Sequence, residues 1–329
     1  MLKKDNRISL RSAVLMALVS VMAFTAGCSV SSDQVLLSND HELSSDVKAV
    51  NELTTGRQQW FAEEICIPED SSYYQDDEVS AGAALVFNLD EPEAVYAKKV
   101  YQKMSPASLT TLFTAYTVLQ RMDLSETVTV TADEVRGLTH ASTVGLKAGD
   151  QVTIEQLLYG MILSSGVDAA NVLADATAGN ADAFVRLMNA DAVRCGCLDT
   201  QFKNANGLTK SGHYTSAYDI YLIMRKLMQD KRFVQILTTD RYQAVYSDKD
   251  GSRVTQDYVS TVQYLEEGKT EIGRLKILGG KTGTTMSAGH CLVLVSSGED
   301  GTRYLSIVMK AKSKDSLYEQ TDHILNKIK

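Results

Sequence analysis

Histidine and cysteine are scarce and dispersed along this chain of 329 residues. The five histidines, His41, His140, His213, His290 and His323, lie far apart. Cys195-Gly196-Cys197 has neither the spacing nor the histidine partners of a zinc site, so neither a metal nor another cofactor is expected. Positive charge is in the minority: 33 Lys and Arg face 41 Asp and Glu, a formal net charge of −8, and no long run of one sign occurs. Nucleic acid is thereby excluded as a partner, because polyanions are held by clustered Lys and Arg. The apolar stretch at the N-terminus, Ala13 to Phe24, falls short of the roughly 20 residues that a membrane-spanning helix needs. No internal repeat is evident.

What is present begins at that N-terminus. Lys3, Lys4, Arg7 and Arg11 precede the apolar stretch, and small residues follow it, which is the pattern of a secretory signal. The segment ends Thr25-Ala26-Gly27-Cys28 and resembles a bacterial lipobox, in which Cys28 would be lipidated and become the new N-terminus. An ordinary cleaved signal that contains a cysteine is the alternative. Residues 29–58, rich in Ser, Asp, Asn and Glu, read as a tether to the membrane, and residues 59–329 as one domain whose structure begins near Trp60. Cys66, Cys195, Cys197 and Cys291 allow three disulfide pairings, among which the sequence does not choose.

Within the domain, Ala81 to Asn88 is a strand-like apolar run, with Tyr96 in a partner strand across Asp90-Glu91-Pro92. After Pro106, residues Leu109, Leu112, Phe113, Tyr116 and Leu119 recur at helix spacing. A capping box, Thr153-Ile154-Glu155-Gln156, opens another helix, which breaks near Gly166 and restarts. A further helix starts near Ser216. Leu275–Leu278, His290–Ser296 and Tyr304–Met309 read as three strands joined by Gly-rich turns, and a closing helix carries Leu317, Thr321, Ile324, Leu325 and Ile328 on one face. This order predicts an α/β (α+β) domain: a sheet built from both chain ends, flanked by helices, with a helical insert.

Three segments carry the chemistry: Ser105-Pro106-Ala107-Ser108-Leu109-Thr110-Thr111 at a helix start, Ser164-Ser165-Gly166-Val167-Asp168, and Gly279-Gly280-Lys281-Thr282-Gly283-Thr284-Thr285. In order and context they resemble the serine D-alanyl-D-alanine carboxypeptidases, the low-molecular-mass penicillin-binding proteins, whose motifs are Ser-x-x-Lys, Ser-x-Asn and Lys-Thr-Gly. Gly145-Leu146-Lys147-Ala148-Gly149-Asp150, Leu157-Leu158-Tyr159-Gly160, Asn206-Gly207-Leu208 and His213 with Thr215-Ser216-Ala217-Tyr218-Asp219 extend the likeness from about Ala81 to the C-terminus.

The resemblance implies an antiparallel β-lactamase-like fold and an acyl-enzyme mechanism. Ser108 would be the nucleophile on the bond between two D-alanines, and the amides of Ser108 and Thr284 would form the oxyanion hole. Lys281 and Thr282, with Gly283, would hold the ligand's carboxylate, and Ser165 would relay a proton. The strand carrying Lys281 would pair with a peptidoglycan stem peptide, or the groove would take a β-lactam.

Two positions depart from the pattern. Where the family has its proton-accepting lysine, one helical turn after Ser108, this chain has Thr111, and where it has asparagine this chain has Val167. A threonine hydroxyl is no base near neutral pH, and valine offers no side-chain hydrogen bond. Ser45-Asp46-Val47-Lys48 repeats the Ser-x-x-Lys spacing, but within the tether. Two functions therefore follow: a carboxypeptidase of weak or lost activity, or a non-catalytic protein binding cell-wall peptide or another envelope protein in the same groove. A β-lactamase is disfavoured, since no glutamate lies between Asp168 and Leu265 to drive deacylation. His140, His213 and the cysteines read as structural. The expected location is the outer face of the bacterial cytoplasmic membrane, anchored through Cys28, with neither a second C-terminal domain nor a basic amphipathic tail.

Overall fold

The computed structural model describes Pro68 and residues 76–328, apart from Pro92 and Glu267. The leader, Cys28, the tether with Ser45 and Lys48, Trp60 and Cys66 lie outside the described residues.

Strands β1 (Ala83–Asn88) and β2 (Glu93–Lys98) form an antiparallel hairpin. Every residue of β1 is buried. Ala83, Leu85 and Phe87 face a helical layer, while Ala84 and Val86 face the other way. A strand covered on both sides needs no polar alternation, which explains the unbroken apolar run. Tyr96 sits inside β2, opposite Val86.

A single 3₁₀ turn, Ala107–Leu109, then leads into helix α1 (Thr110–Leu119), all of whose residues except Tyr116 are buried. The insert continues through β3 (Thr127–Thr129), α2 (Ala132–Val135), β4 (Gln151–Thr153), α3 (Ile154–Leu163), α4 (Val167–Ala178), α5 (Ala181–Arg194), α6 (Ala217–Leu227) and α7 (Lys231–Leu237). The capping box forms as expected: Thr153 Oγ1 accepts from the amide of Gln156 at 3.2 Å, and Gln156 Oε1 accepts from the amide of Thr153 at 3.0 Å. Gly166 caps α4, and Ser216 caps α6.

Two strands that the sequence reading leaves out follow, β5 (Arg241–Ser247) and β6 (Arg253–Val259). They pair in register, Tyr242 opposite Tyr258, and join β3 and β4 in a small four-stranded sheet. A short helix α8 (Gln263–Glu266) and strand β7 (Glu271–Ile272) precede β8 (Leu275–Thr285), β9 (Gly289–Ser297), β10 (Arg303–Ala311) and helix α9 (Lys314–Leu325). The main sheet is antiparallel in the order β2-β1-β10-β9-β8-β7, so strands from the two ends of the domain meet at β1 and β10. β8 runs past the predicted Leu278 to Thr285, through an irregularity between Ile277 and Gly279, and so carries Lys-Thr-Gly inside a strand.

One core lies between this sheet and the helices, where Phe87 stacks on Tyr221 with ring centroids 3.9 Å apart. The other lies beneath α9, where Leu317, Ile324 and Leu325 cover Val86, Leu292, Leu294 and Val308. Each fully buried Leu, Ile or Phe contributes about 1.5–3 kcal/mol. Together the two cores hold β8 against the 3₁₀ turn.

Candidate active site

Ser108 lies in the 3₁₀ turn that precedes α1 and is half-buried. Ala107 before it has φ +49°, the left-handed region that an L-residue rarely occupies and that costs of order 1–3 kcal/mol unless the surroundings enforce it. Two glycines enforce it here. A Cβ on Gly207, whose φ is +84°, would stand 2.0 Å from the carbonyl oxygen of Ala107. A Cβ on Gly283 would stand 3.0 Å from the amide nitrogen of Ser108 and 3.1 Å from that of Leu109. The Asn206-Gly207 loop and β8 thus press on the turn from either side, and Ser108 and Thr284 belong to segments in direct contact. Among the described residues, the Ser108 hydroxyl has no hydrogen-bond partner.

Residues directly opposite in an antiparallel pair share a face. Lys281 opposite Val293 and Gly283 opposite Cys291 therefore face the helices, whereas Thr282 opposite Leu292 and Thr284 opposite His290 face the other way. Lys281 is fully buried, and its Nζ donates to Ser165 Oγ and, at 2.8 Å, to the carbonyl of Thr282. No carboxylate pairs with it among the described residues. Removal from water without a counter-charge disfavours the ammonium form, and burial pushes its pKa down to about 7. Thr282 Oγ1 lies 2.5 Å from Thr261 Oγ1, and Thr284 Oγ1 lies 3.4 Å from His290 Nδ1.

Ser165, buried and with φ +54°, occupies the tight link between α3 and α4. Ser164 Oγ exchanges hydrogen bonds with the carbonyl and amide of Val259 on β6, and the amide of Val167 donates to the carbonyl of Ser142. The tightest anchor is Asp168. It is buried, and its carboxylate accepts from the amides of Val144, Gly145 and Leu146 at 3.0–3.1 Å. Asp168 and the Gly145-Leu146 segment stand apart in the sequence, and the carboxylate is what joins them.

Both departing positions are filled by side chains satisfied or packed locally. Thr111 is buried, and its Oγ1 donates to the carbonyl of Ser108 itself at 2.7 Å. Its one proton is thus committed to the backbone of the turn. Val167, the first residue of α4, is buried and places no polar side-chain atom near Lys281 or Ser165. The structure brings Ser165 to Lys281 and the Ser108 turn to Gly283 on the helix-facing side of β8, puts the side chains of Thr282 and Thr284 on the strand's other face, and leaves no base one turn beyond Ser108. A cavity of about 600 Å³ lined by Arg274, Asp300, Tyr304 and Leu325 contains none of these residues.

Residues 70–313 match the D-alanyl-D-alanine carboxypeptidase family. The chain is 31% identical over 235 residues to D-alanyl-D-alanine carboxypeptidase DacC of Escherichia coli, covering 68% of this chain and 55% of that protein. It is 26% identical over 251 residues to D-alanyl-D-alanine carboxypeptidase DacF of Bacillus subtilis, covering 75% and 61%. The matched region thus spans little more than half the length of these relatives. Among solved structures, the Streptomyces K15 DD-transpeptidase superposes with a TM-score of 0.70 at 27% identity, covering 76% of this chain and 97% of that one. The D-alanyl-D-alanine carboxypeptidase of Mycobacterium tuberculosis gives 0.65 at 27% identity, covering 80% and 93%. With its strand order, its Ser108 turn and Lys281-Thr282-Gly283 on β8, this chain belongs to the D-alanyl-D-alanine carboxypeptidase family.

Proposed function

We propose that this protein binds the D-alanyl end of a peptidoglycan stem peptide, or a β-lactam, along β8, and that its acyl transfer is weak or lost. The ligand's extended backbone lies against the edge of β8, its carbonyl oxygen between the amides of Ser108 and Thr284, and its carboxylate near Thr282, with Lys281 supplying positive charge from beneath. The observation that carries the reading is the hydrogen bond from Thr111 Oγ1 to the Ser108 carbonyl, which occupies the place of a proton acceptor. General-base help is typically worth about 10²–10⁴ in rate, so its loss leaves the acyl-enzyme slow to form. We further propose export through the basic and apolar leader, and anchoring at the outer face of the membrane through a lipidated Cys28.

A second reading, residual acyl transfer, draws on Lys281. Burial lowers its pKa to about 7, which favours the neutral amine, and it already bonds to Ser165. Intact mass of the full chain during incubation with benzylpenicillin separates the two, with Ser108→Ala as control. The first reading expects no adduct within minutes and at most slow accumulation over hours. A rapid stoichiometric adduct, absent in Ser108→Ala, would overturn it in favour of the second.

A further inference from the structure

One buried side chain beside the site has hydrogen bonds that fix its protonation and lead to the nucleophile turn. His213 is 6% exposed, and its Nδ1 accepts from the amide of Lys203 at 3.0 Å. An imidazole nitrogen that accepts a hydrogen bond carries no proton, so this network assigns the ring proton to Nε2. Nε2 lies 2.8 Å from Thr110 Oγ1, and Thr110 Oγ1 donates in turn to the carbonyl of Ala107 at 2.8 Å. That carbonyl belongs to the residue with φ +49° immediately before Ser108. It is also the oxygen against which Gly207 is packed.

The chain of donors runs in one direction only. Lys203 gives to His213, His213 to Thr110, and Thr110 to Ala107. If the ring were doubly protonated, its Nδ1 could not accept from Lys203. If the proton moved to Nδ1, Thr110 would face an acceptor and would turn its hydrogen away from Ala107. Burial pushes the His213 pKa down to about 4, with the nearby Lys203 and Lys210 charges acting in the same direction, so the neutral ring persists at ordinary pH.

We infer that His213 is a positioning residue for Ser108: through Thr110 it pins the Ala107 carbonyl, and so fixes where the Ser108 side chain and amide point. The inference rests on the reading of Ser108 as the acyl-accepting residue of this groove. The plain alternative is a histidine that only fills space beside Phe202, whose ring centroid is 5.5 Å away. Filling space requires shape, whereas positioning requires a donor at Nε2, and this difference can be tested.

The test uses the full chain with Ser108→Cys, because a thiolate needs no lysine to become nucleophilic. Two rates are read by peptide mass at the thiol that this substitution introduces. In the first, the thiolate attacks p-nitrophenyl acetate, forming a thioester as p-nitrophenolate leaves, a reaction that draws on the oxyanion amides. In the second, iodoacetamide alkylates the same thiol, which needs only access and ionisation. His213→Leu, which fills the space without a donor, should lower the acylation rate about tenfold and leave alkylation within about twofold. His213→Gln, whose Nε2 can still donate to Thr110, should restore most of the acylation rate, and Thr110→Val should reproduce His213→Leu. Equal acylation in folded Leu and Gln variants, or parallel changes in both rates, would overturn the inference. If the thiol of the Ser108→Cys chain, with His213 and Thr110 unaltered, acylates no faster than a free thiol of the same ionisation, the groove has no working oxyanion hole. The functional reading then falls together with the inference.

Discussion

The turn that presents Ser108 and the two positions that should serve its proton are close neighbours, yet they are built to different standards. The turn is constrained on every side. Gly207 leaves no room for a methyl group and Gly283 very little, Ala107 keeps a left-handed φ, and a bond from Thr110 pins its carbonyl. At Thr111 and Val167 nothing points outward to a ligand or to Ser165: one hydroxyl bonds back to the Ser108 carbonyl, and one isopropyl group is buried. On the proposed reading, the scaffold of an acyl-transfer site and its proton relay are separable parts, and this chain holds the first without the second. Lys281 stands between them, bonded to Ser165 but with no second polar partner from Val167.

The largest effect expected is on the constrained side. Gly207→Ala forces a Cβ to 2.0 Å from a carbonyl oxygen at a positive φ, so the turn or the loop must move. The cost should be about 3–5 kcal/mol, seen as a fall in Tm on the order of 10 °C for a domain of this size. An unchanged Tm would show that the turn is not constrained as described.

Lys281→Met comes next. A lysine held near 7 in the folded chain and at its usual value of 10.5 in the unfolded chain is protonated more in the unfolded state between those limits. Its burial therefore costs nothing above about pH 10.5, and the cost grows as pH falls to 7 and is constant below. The methionine variant should be more stable than the parent by roughly 2–4 kcal/mol at pH 6–7, the difference shrinking as pH rises and gone only above about pH 10.5. Denaturant melts of both proteins across that range supply the measurement, and a difference independent of pH would show that burial does not lower the Lys281 pKa.

The smallest effect is set at the relay position. Thr111→Val keeps the shape and loses one hydrogen bond to the backbone, so stability should fall by about 1 kcal/mol and the reaction of Ser108 with benzylpenicillin should not change. A loss of reaction would give the Thr111 hydroxyl a chemical part that its geometry denies.

Much of this comparison is legible in the sequence. Ser108, Ser165 and Lys281 stand in short local segments whose order is read directly along the chain, and Thr111 and Val167 are visible as departures in the same segments. The capping box at Thr153 and the both-sides-buried strand at Ala83–Asn88 also rest on local signals. What sequence reading missed depends on partners distant in the chain. Asp168 acts through amides 22 to 24 residues before it, and His213 through Thr110, 103 residues away. The β5–β6 hairpin alternates inward and outward residues as a strand should, but exposed Val245 and the polar Gln256 on the inner face weaken that signal. Only the alignment of Tyr242, Ala244 and Tyr246 with Tyr258, Gln256 and Val254 reveals the pairing.

The central claim, an intact scaffold around a missing relay, is tested most directly by putting the relay back. The measurement is the rate of benzylpenicillin adduct formation at Ser108 in Thr111→Lys/Val167→Asn beside the unaltered chain. The double variant should form the adduct about 10²–10⁴ times faster. If the unaltered chain already reacts as fast, no relay is missing, and if the folded double variant stays inert, the scaffold is not intact; either result contradicts the account.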